Sequence, residues 1–126
     1  MRLVLDASAV LAWLHEEPGG EQVGDHLSHA CISSVNWSEV VQKSLARKAD
    51  IEGMREEFMA IGLSIEPFDA SQAEFAGRLW NSTRKHGMSL GDRACLALAK
   101  EKSLPVLTAD RVWKQLKLGL DIRLLR

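Results

Sequence analysis

The sequence predicts a three-layer α/β/α sandwich with a central, mostly parallel β-sheet. Short apolar runs such as RLVL (residues 2–5) and PVLT (residues 105–108) alternate with segments whose apolar residues recur at helical spacing. Parallel strands need helical crossovers, and these helices cover both faces of the sheet. The chain has 126 residues, of which 46% are hydrophobic, and this is enough for one ordinary core. We therefore expect a single domain.

The apolar pattern predicts strands and helices that alternate over most of the chain. The expected strands are residues 2–5, 31–33, 64–68, 105–108 and 121–125. The expected helices are residues 7–17, 35–48, 50–63, 71–87, 88–103 and 110–117. A polar segment up to residue 29 is left without a strand or helix.

Turn and capping residues give the boundaries of these elements, taken in chain order. Pro18 and the two glycines after it end the first helix. Ser34 is the expected N-cap of the second helix. Asp69 and Gln72 have the spacing of a capping box at the start of the fourth helix, and Gly87 ends that helix. The residues of the second helix expected to face inward are Val40, Val41, Ser44 and Leu45.

The composition excludes several classes of function. The net charge is -1, with 16 Lys and Arg against 17 Asp and Glu, so any contact with nucleic acid needs a local basic patch. Cys31 and Cys95 lie far apart and have no C-x-x-C partner, which argues against a disulfide framework and a structural zinc site. No P-loop, dinucleotide fingerprint or G-x-S-x-G elbow occurs. No apolar run approaches the roughly 20 residues of a membrane span, and we expect a soluble, cytoplasmic protein.

Two of the predicted strands end at an aspartate. Asp6 follows the first strand, and Asp110 closes the run VLTAD (residues 106–110). Ligands of open α/β sheets bind outside the carboxyl ends of the strands, so aspartates at two equivalent exits favour a shared site. Either aspartate taken alone is equally consistent with a helix N-cap.

A third and a fourth acidic residue are candidates for the same site. Asp92 aligns with Cys95 at helical spacing, so its side chain is expected to point toward the core. Ser89 and Asp92 also match a capping box, and both roles are compatible because the first turn of a helix tolerates negative charge. Glu39 has mostly polar neighbours at helical spacing, which by itself favours a solvated glutamate.

Carboxylates that meet in one site need a cation to offset their repulsion. A set of oxygen ligands points to a hard ion, and Mg²⁺ or Mn²⁺ suits a shallow site in which water completes the octahedron. Zinc is disfavoured, because His26 and His29 are the one pair of histidines at helical spacing, and an i,i+3 pair among polar residues is more often on the surface than bound to metal.

Three segments together resemble the PIN domain, specifically the VapC-type toxin ribonucleases of bacterial toxin–antitoxin modules. These segments are VLDASAVLAWL, SSVNWSEV and SLGDRACLALAKEKSLPVLTAD. The resemblance spans nearly the whole chain. Its four acidic positions stand in the expected order and are Asp6, Glu39, Asp92 and Asp110.

The resemblance implies a metal-dependent endoribonuclease in which these four carboxylates form the catalytic site and hold one or two Mg²⁺ or Mn²⁺ ions. It gives Glu39 a role that its spacing alone does not. Ser8 and Thr108 match hydroxyl positions of the family that can orient the carboxylates. Ala7 departs from the Thr or Ser that family members often carry, which removes one possible hydrogen bond. The implied organisation is a single PIN-like domain over residues 1–126.

The resemblance also implies partners. They are an RNA substrate, a second copy of the chain in a homodimer, and a cognate antitoxin whose tail lies along the cleft and blocks the acidic site. Arg93, beside Asp92, is considered as a phosphate contact. Other candidate phosphate contacts are Lys43, Arg47, Arg84, Lys85 and Arg111. The apolar residues expected near helix surfaces, and hence at an interface, are Trp13, Leu14, Trp37 and Val41.

Other classes of protein also end their first strand at an aspartate. A phosphoaspartyl hydrolase of the haloacid-dehalogenase type usually needs a second catalytic residue two positions later, where this chain has Ser8. A receiver domain needs paired acidic residues after the first strand and a lysine after the last core strand. The non-enzymatic alternative is a PIN-like binding scaffold, which should bind no divalent ion through Asp6 or Asp92.

Overall fold

An all-parallel sheet organises the computed structural model, which describes residues 2–126. Its strands are β1 (Leu3–Leu5), β2 (Ala30–Ser33), β3 (Ser64–Glu66), β4 (Val106–Thr108) and β5 (Ile122–Leu124). The strand order is β3-β2-β1-β4-β5, with Val4 of β1 paired to Cys31 on one side and Val106 on the other. The central position of β1 brings its exit, Asp6, to the middle of the carboxyl edge.

Helices lie between the strands in the described chain. They are α1 (Ala7–Leu14), α2 (Gly20–His26), α3 (Ser34–Ala46), α4 (Met54–Ile61), α5 (Ala70–Arg78), α6 (Trp80–Thr83) and α7 (Leu90–Lys102). Short 3-10 turns cover Leu27–His29, Arg84–His86 and Arg111–Gln115. In this part of the chain no helix has the length and apolarity that crossing a membrane requires.

The two faces of the sheet bury separate apolar cores. Leu3 and Leu5 point into a cluster formed with α1 to α4. Val4, between them, points into a second cluster that contains the inner face of α7 and the fully buried Trp113. This alternation follows from the two-residue period of a strand. The predicted three-layer α/β/α architecture is confirmed.

Several local predictions are wrong, and each has a physical reason. The N-cap of α3 is Ser33, whose Oγ accepts from the Val35 N–H at 3.2 Å. The Ser34 hydroxyl instead accepts from the Phe68 N–H at 3.2 Å and ties the end of β3 to α3. Leu45, predicted to face inward, is 54% exposed. The fully buried Ser44 faces the core in that turn. Leu45 lies about 100° further around the helix and so faces solvent.

Other boundaries also differ from the pattern. The helix predicted over 71–87 is divided into α5, α6 and a 3-10 turn, although Gly87 ends it in the left-handed conformation as expected, with φ 67°. The segment left without structure before residue 29 contains α2, and the helix predicted over 110–117 is a 3-10 turn. The Asp69 carboxylate caps α5 at 2.9 Å from the Gln72 N–H. The Gln72 amide turns to Pro67 and Glu101, so the reciprocal half of that capping box does not form.

Candidate active site

Asp6 lies where β1 ends and α1 begins, and its carboxylate is only 4% exposed. Its Oδ1 accepts the Ala9 N–H at 2.9 Å and the Ser8 hydroxyl at 2.7 Å. Its Oδ2 accepts the Thr108 hydroxyl at 2.6 Å. Asp6 is therefore the N-cap of α1 and also a buried carboxylate at the sheet edge, and its part in a shared site stays a prediction.

Burial is the main cause that raises the pKa of Asp6 from 3.8 to about 6. The hydrogen bonds from Thr108, Ser8 and Ala9 oppose this rise, and the nearby charge of Asp92 adds to it. The carboxylate is thus only partly compensated by its neighbours. A proton or a cation at Asp6 would relieve the remaining penalty.

The hydroxyls of Ser8 and Thr108 connect Asp6 to the loop after β4. Their oxygens lie 3.3 Å apart. Ser8 Oγ accepts from the Ala109 N–H and Thr108 Oγ1 from the Asp110 N–H, each at 3.0 Å. Because each hydroxyl contacts Asp6 on one side and a β4-loop amide on the other, the pair fixes the carboxylate orientation and the path of that loop.

Replacing Thr108 with valine should raise the pKa of Asp6 further and destabilise the fold by about 1–3 kcal/mol, because a buried carboxylate oxygen and the Asp110 N–H each lose a partner. The Asp6 pKa is measurable by NMR titration of its carboxyl carbon. Thr83→Val is the matched control, since Thr83 is an equally buried threonine whose hydroxyl bonds to the Leu79 carbonyl at 2.7 Å. An Asp6 pKa that is equal in Thr108→Val and wild type would contradict the assigned role of Thr108.

Glu39 is half-buried rather than fully solvated. The Asn36 amide donates to Glu39 Oε1 at 2.8 Å and to the Gly91 carbonyl at 2.9 Å, and so holds α3 against the start of α7. A Cβ on Gly91 would lie 2.5 Å from Glu39 Oε1, so the glycine leaves room for the carboxylate. Asn36 and Gly91 were not identified from the sequence. The only sequence signals for them are that Asn36 lies one helical turn before Glu39 and that Gly91 directly precedes Asp92.

Asp92 forms the predicted capping box of α7. Its Oδ2 accepts from the Ser89 N–H at 3.0 Å, and its own N–H donates to Ser89 Oγ at 3.1 Å. Its charge also contributes to the raised pKa of Asp6. The following residue, Arg93, is half-buried and donates to the Ala76 carbonyl at 2.9 Å, which links α5 to α7. The phosphate contact considered for Arg93 stays a prediction.

Asp110 is exposed at the outer side of this region. Its Oδ1 accepts from the Val112 N–H at 3.0 Å and caps the 3-10 turn that follows. Its backbone N–H reaches the Thr108 hydroxyl that also contacts Asp6. Thr108 therefore connects Asp110 to the buried Asp6 carboxylate through two hydrogen bonds.

The buried thiol of Cys95 lies near several of the candidate carboxylates. Burial is the main cause that raises its pKa, and the charges of Asp6, Asp92 and Glu39 raise it as well. These three acids therefore act on the same buried group.

The donor set fits a hard divalent ion in its chemistry. In residues 2–126 the ion pairs within 4.0 Å involve other carboxylates, so no basic side chain neutralises the four acids. Within the same residues no three acidic, histidine or cysteine side chains are arranged closely enough to hold one ion between them. Mg²⁺ keeps several waters and is usually held by only one or two carboxylates. An unpaired oxygen, the buried Asn36 Oδ1, lies on the residue that holds Glu39.

A groove of about 410 Å³ leads away from Ser8 between α1 and α3. Leu11 and Ala46 provide apolar surface in this groove, and Lys43 and Arg47 line it as well. The groove therefore connects the neighbourhood of Asp6 with basic side chains on α3.

Solved structures with the same fold include several toxin–antitoxin complexes. A toxin–antitoxin complex from Klebsiella pneumoniae is similar with a TM-score of 0.70 and 17% identity, over 88% of this chain and 89% of that one. DNA-bound VapBC from Salmonella typhimurium is similar with a TM-score of 0.69 and 18% identity, over 100% and 99% of the chains. VapBC-1 from nontypeable Haemophilus influenzae gives a TM-score of 0.72 at 15% identity, over 99% and 98%.

The sequence itself carries the family assignment. No significant match occurs among curated protein sequences. The sequence pattern of the PIN domain, however, matches residues 3–118, from the first residue of β1 to beyond the loop that carries Asp110. This range contains all four candidate acids and both hydroxyl residues. The chain belongs to the PIN domain family.

Proposed function

We propose that the chain is a metal-dependent endoribonuclease and the toxin of a toxin–antitoxin module. The observation that carries this proposal is the buried Asp6 carboxylate at the carboxyl edge of the sheet, together with Glu39, which is held against Gly91 directly before Asp92. A buried carboxylate with a strongly raised pKa in such a position is more typical of a functional site than of a structural cap. PIN family membership leaves the non-catalytic scaffold as the remaining alternative.

Asp6 and Asp92 would hold Mg²⁺ or Mn²⁺, with Glu39 and Asp110 completing the set. The bound ion would supply a Lewis acid for the scissile phosphate and for a water molecule. The chain's own side chains orient the ligands: Ser8 and Thr108 hold the Asp6 carboxylate, and Asn36 holds Glu39. Positioning of this kind is worth about 10–100-fold in metal affinity or activity.

A cognate antitoxin is the proposed protein partner, as the complexes with this fold suggest. The groove that starts at Ser8 would give its tail a path toward Asp6. Leu11 suits an apolar side chain of the tail and Lys43 an acidic one, whereas Arg47 already has the Glu17 carboxylate of the same groove at 4.0 Å. We also propose a homodimer, since Trp13 and Trp37 pack edge-on against Phe58 and keep part of their surface exposed. Light scattering that reports only monomer at micromolar concentration would contradict the dimer.

Removal of divalent ions should abolish RNA cleavage, and Mg²⁺ or Mn²⁺ should restore it. The measurement is cleavage of a labelled single-stranded RNA by chelator-treated protein before and after each ion is added. Calorimetry with Mg²⁺ on wild type and Asp6→Asn gives a second readout that does not depend on cleavage. Cleavage that persists in chelator would contradict metal dependence. A wild type that neither cleaves RNA nor binds Mg²⁺ would support the scaffold.

A further inference from the structure

We propose that the segment from residue 75 to residue 91, called here the basic segment, binds single-stranded RNA, with a base stacked on Trp80 and phosphates on Arg84 and Lys85. This inference rests on the proposed ribonuclease function and adds a specific contact for the substrate. It concerns a surface that lies outside the four carboxylates.

Trp80 is the tryptophan that the fold leaves in solvent. It is 51% exposed, whereas Trp113 is fully buried and Trp13 and Trp37 pack on the core. The Arg84 guanidinium lies over the Trp80 ring, 5.0 Å from its centroid. An exposed aromatic ring beside a cation is the arrangement on which proteins stack the bases of single strands.

A buried hydrogen bond and two core residues hold the basic segment in place, although its outer side chains are exposed. The buried Thr83 hydroxyl donates to the Leu79 carbonyl at 2.7 Å. Leu79 and Met88, which flank the stretch that carries Trp80, Arg84 and Lys85, are buried in the core. Trp80 is therefore presented on a fixed surface, which lowers the entropy lost when a base stacks on it.

The position of the basic segment follows from the packing of α5 against α7. Gln72 contacts Glu101 at one end of this antiparallel pair, and Arg93 contacts the Ala76 carbonyl at the other end. Trp80 follows Ala76 by about one helical turn, or roughly 6 Å along the axis. Trp80 therefore follows the end of α5 that lies against the first turn of α7, where Asp92 stands, and the proposal places both along one RNA strand.

Charge distinguishes RNA from a protein as the occupant. From residue 75 to residue 91 the sequence has no Asp or Glu but contains Arg78, Arg84, Lys85 and His86. In residues 2–126 neither Arg84 nor Lys85 has a carboxylate within 4.0 Å. A local cationic surface on a chain of net charge -1 suits a polyanion, and the indole suits its flat bases.

Binding of a labelled single-stranded RNA to the full chain, measured by anisotropy in chelator, tests the proposal without cleavage. Trp80→Ala should weaken binding by about 5- to 100-fold, and Trp80→Phe should restore most of it, because both rings stack. Arg84→Ala and Lys85→Ala should each lower the slope of log K against log salt by about 0.7. Arg55→Ala, at an exposed arginine of α4, should bind RNA as wild type does.

The possible results separate this inference from the proposed function. If the wild type cleaves RNA and Trp80→Ala binds RNA as tightly as the wild type does, the inference is overturned and the proposed ribonuclease function is unaffected. Binding through Trp80 without cleavage would contradict the ribonuclease alone. Loss of dimer in Trp80→Ala with RNA binding unchanged would assign the surface to a protein partner and also overturn the inference. If Trp80→Ala fails to fold, Arg84→Glu decides, since wild-type RNA affinity in that variant is incompatible with the proposed contact.

Discussion

Replacing Asp92 with asparagine should lower RNA cleavage by more than about a hundredfold, because the loss of even an outer partner of a metal ligand costs about 10–100-fold. The melting temperature should stay close to that of wild type. The asparagine oxygen can still accept from the Ser89 N–H, which lies 3.0 Å from Asp92 Oδ2, so the cap of α7 is kept and only the charge is lost. RNA cleavage and melting temperature should be measured on the same sample.

Ser89→Ala is the matched control for this experiment. It removes the oxygen that accepts from the Asp92 N–H at 3.1 Å but leaves the carboxylate in place. We expect a stability loss of about 1 kcal/mol and near-normal cleavage by the folded fraction. If instead Asp92→Asn is active and less stable, Asp92 is a cap and not part of the nuclease site.

In chelator, the free energy of unfolding should fall by about 2 kcal/mol between pH 4 and pH 7 because of Asp6 alone. Its pKa rises from 3.8 to about 6 on folding, so the folded state binds the proton more tightly than the unfolded chain. This stabilisation is fully present below pH 3.8 and is lost as the pH rises through the folded pKa. Asp6→Asn should remove this pH dependence and be the more stable protein at pH 7.

The measurement is urea unfolding of wild type and Asp6→Asn across this pH range. Asp69→Asn serves as the control, since Asp69 is also an N-cap, accepting from Gln72 N–H at 2.9 Å, but is exposed. The free energy of unfolding of Asp69→Asn should change with pH as that of the wild type does. A stability difference between wild type and Asp6→Asn that does not change from pH 4 to pH 7 would mean that burial of Asp6 leaves its titration unaltered. Added Mg²⁺ should reduce the difference at pH 7 if Asp6 binds the ion.

The sequence was informative wherever a strand crosses the core. The runs around Val4 and Val106 are buried on both faces, so their apolar character is continuous and their exits are easy to locate. Leu45 was misplaced because helical periodicity does not indicate how far the core extends along α3. Within residues 71–87 the local signal for a division is Gly77, which directly precedes the last residue of α5, and the helical pattern on both sides of it concealed the break.

In the candidate site, the local sequence pattern indicates the residues where strands end, but not the residues that make contacts between two helices. Asp6 and Asp110 follow apolar runs, and the capping box at Asp92 has a local signature. Glu39 was recovered only by resemblance, because its environment is created by the Asn36 contact with Gly91, 55 residues away in sequence. Contacts of this range depend on how α3 and α7 pack, which spacing within one helix does not determine.

The hydrogen bond from Thr108 to Asp6 joins residues 102 positions apart, and this separation has a consequence during protein synthesis. The ribosome adds Thr108 to the chain 102 residues after Asp6. Until β4 has emerged and paired with β1, the nascent chain has neither the strand that covers one side of β1 nor the hydroxyl that orients its carboxylate. Products of interrupted translation that stop before Val106 therefore lack the hydrogen bond that orients the Asp6 carboxylate.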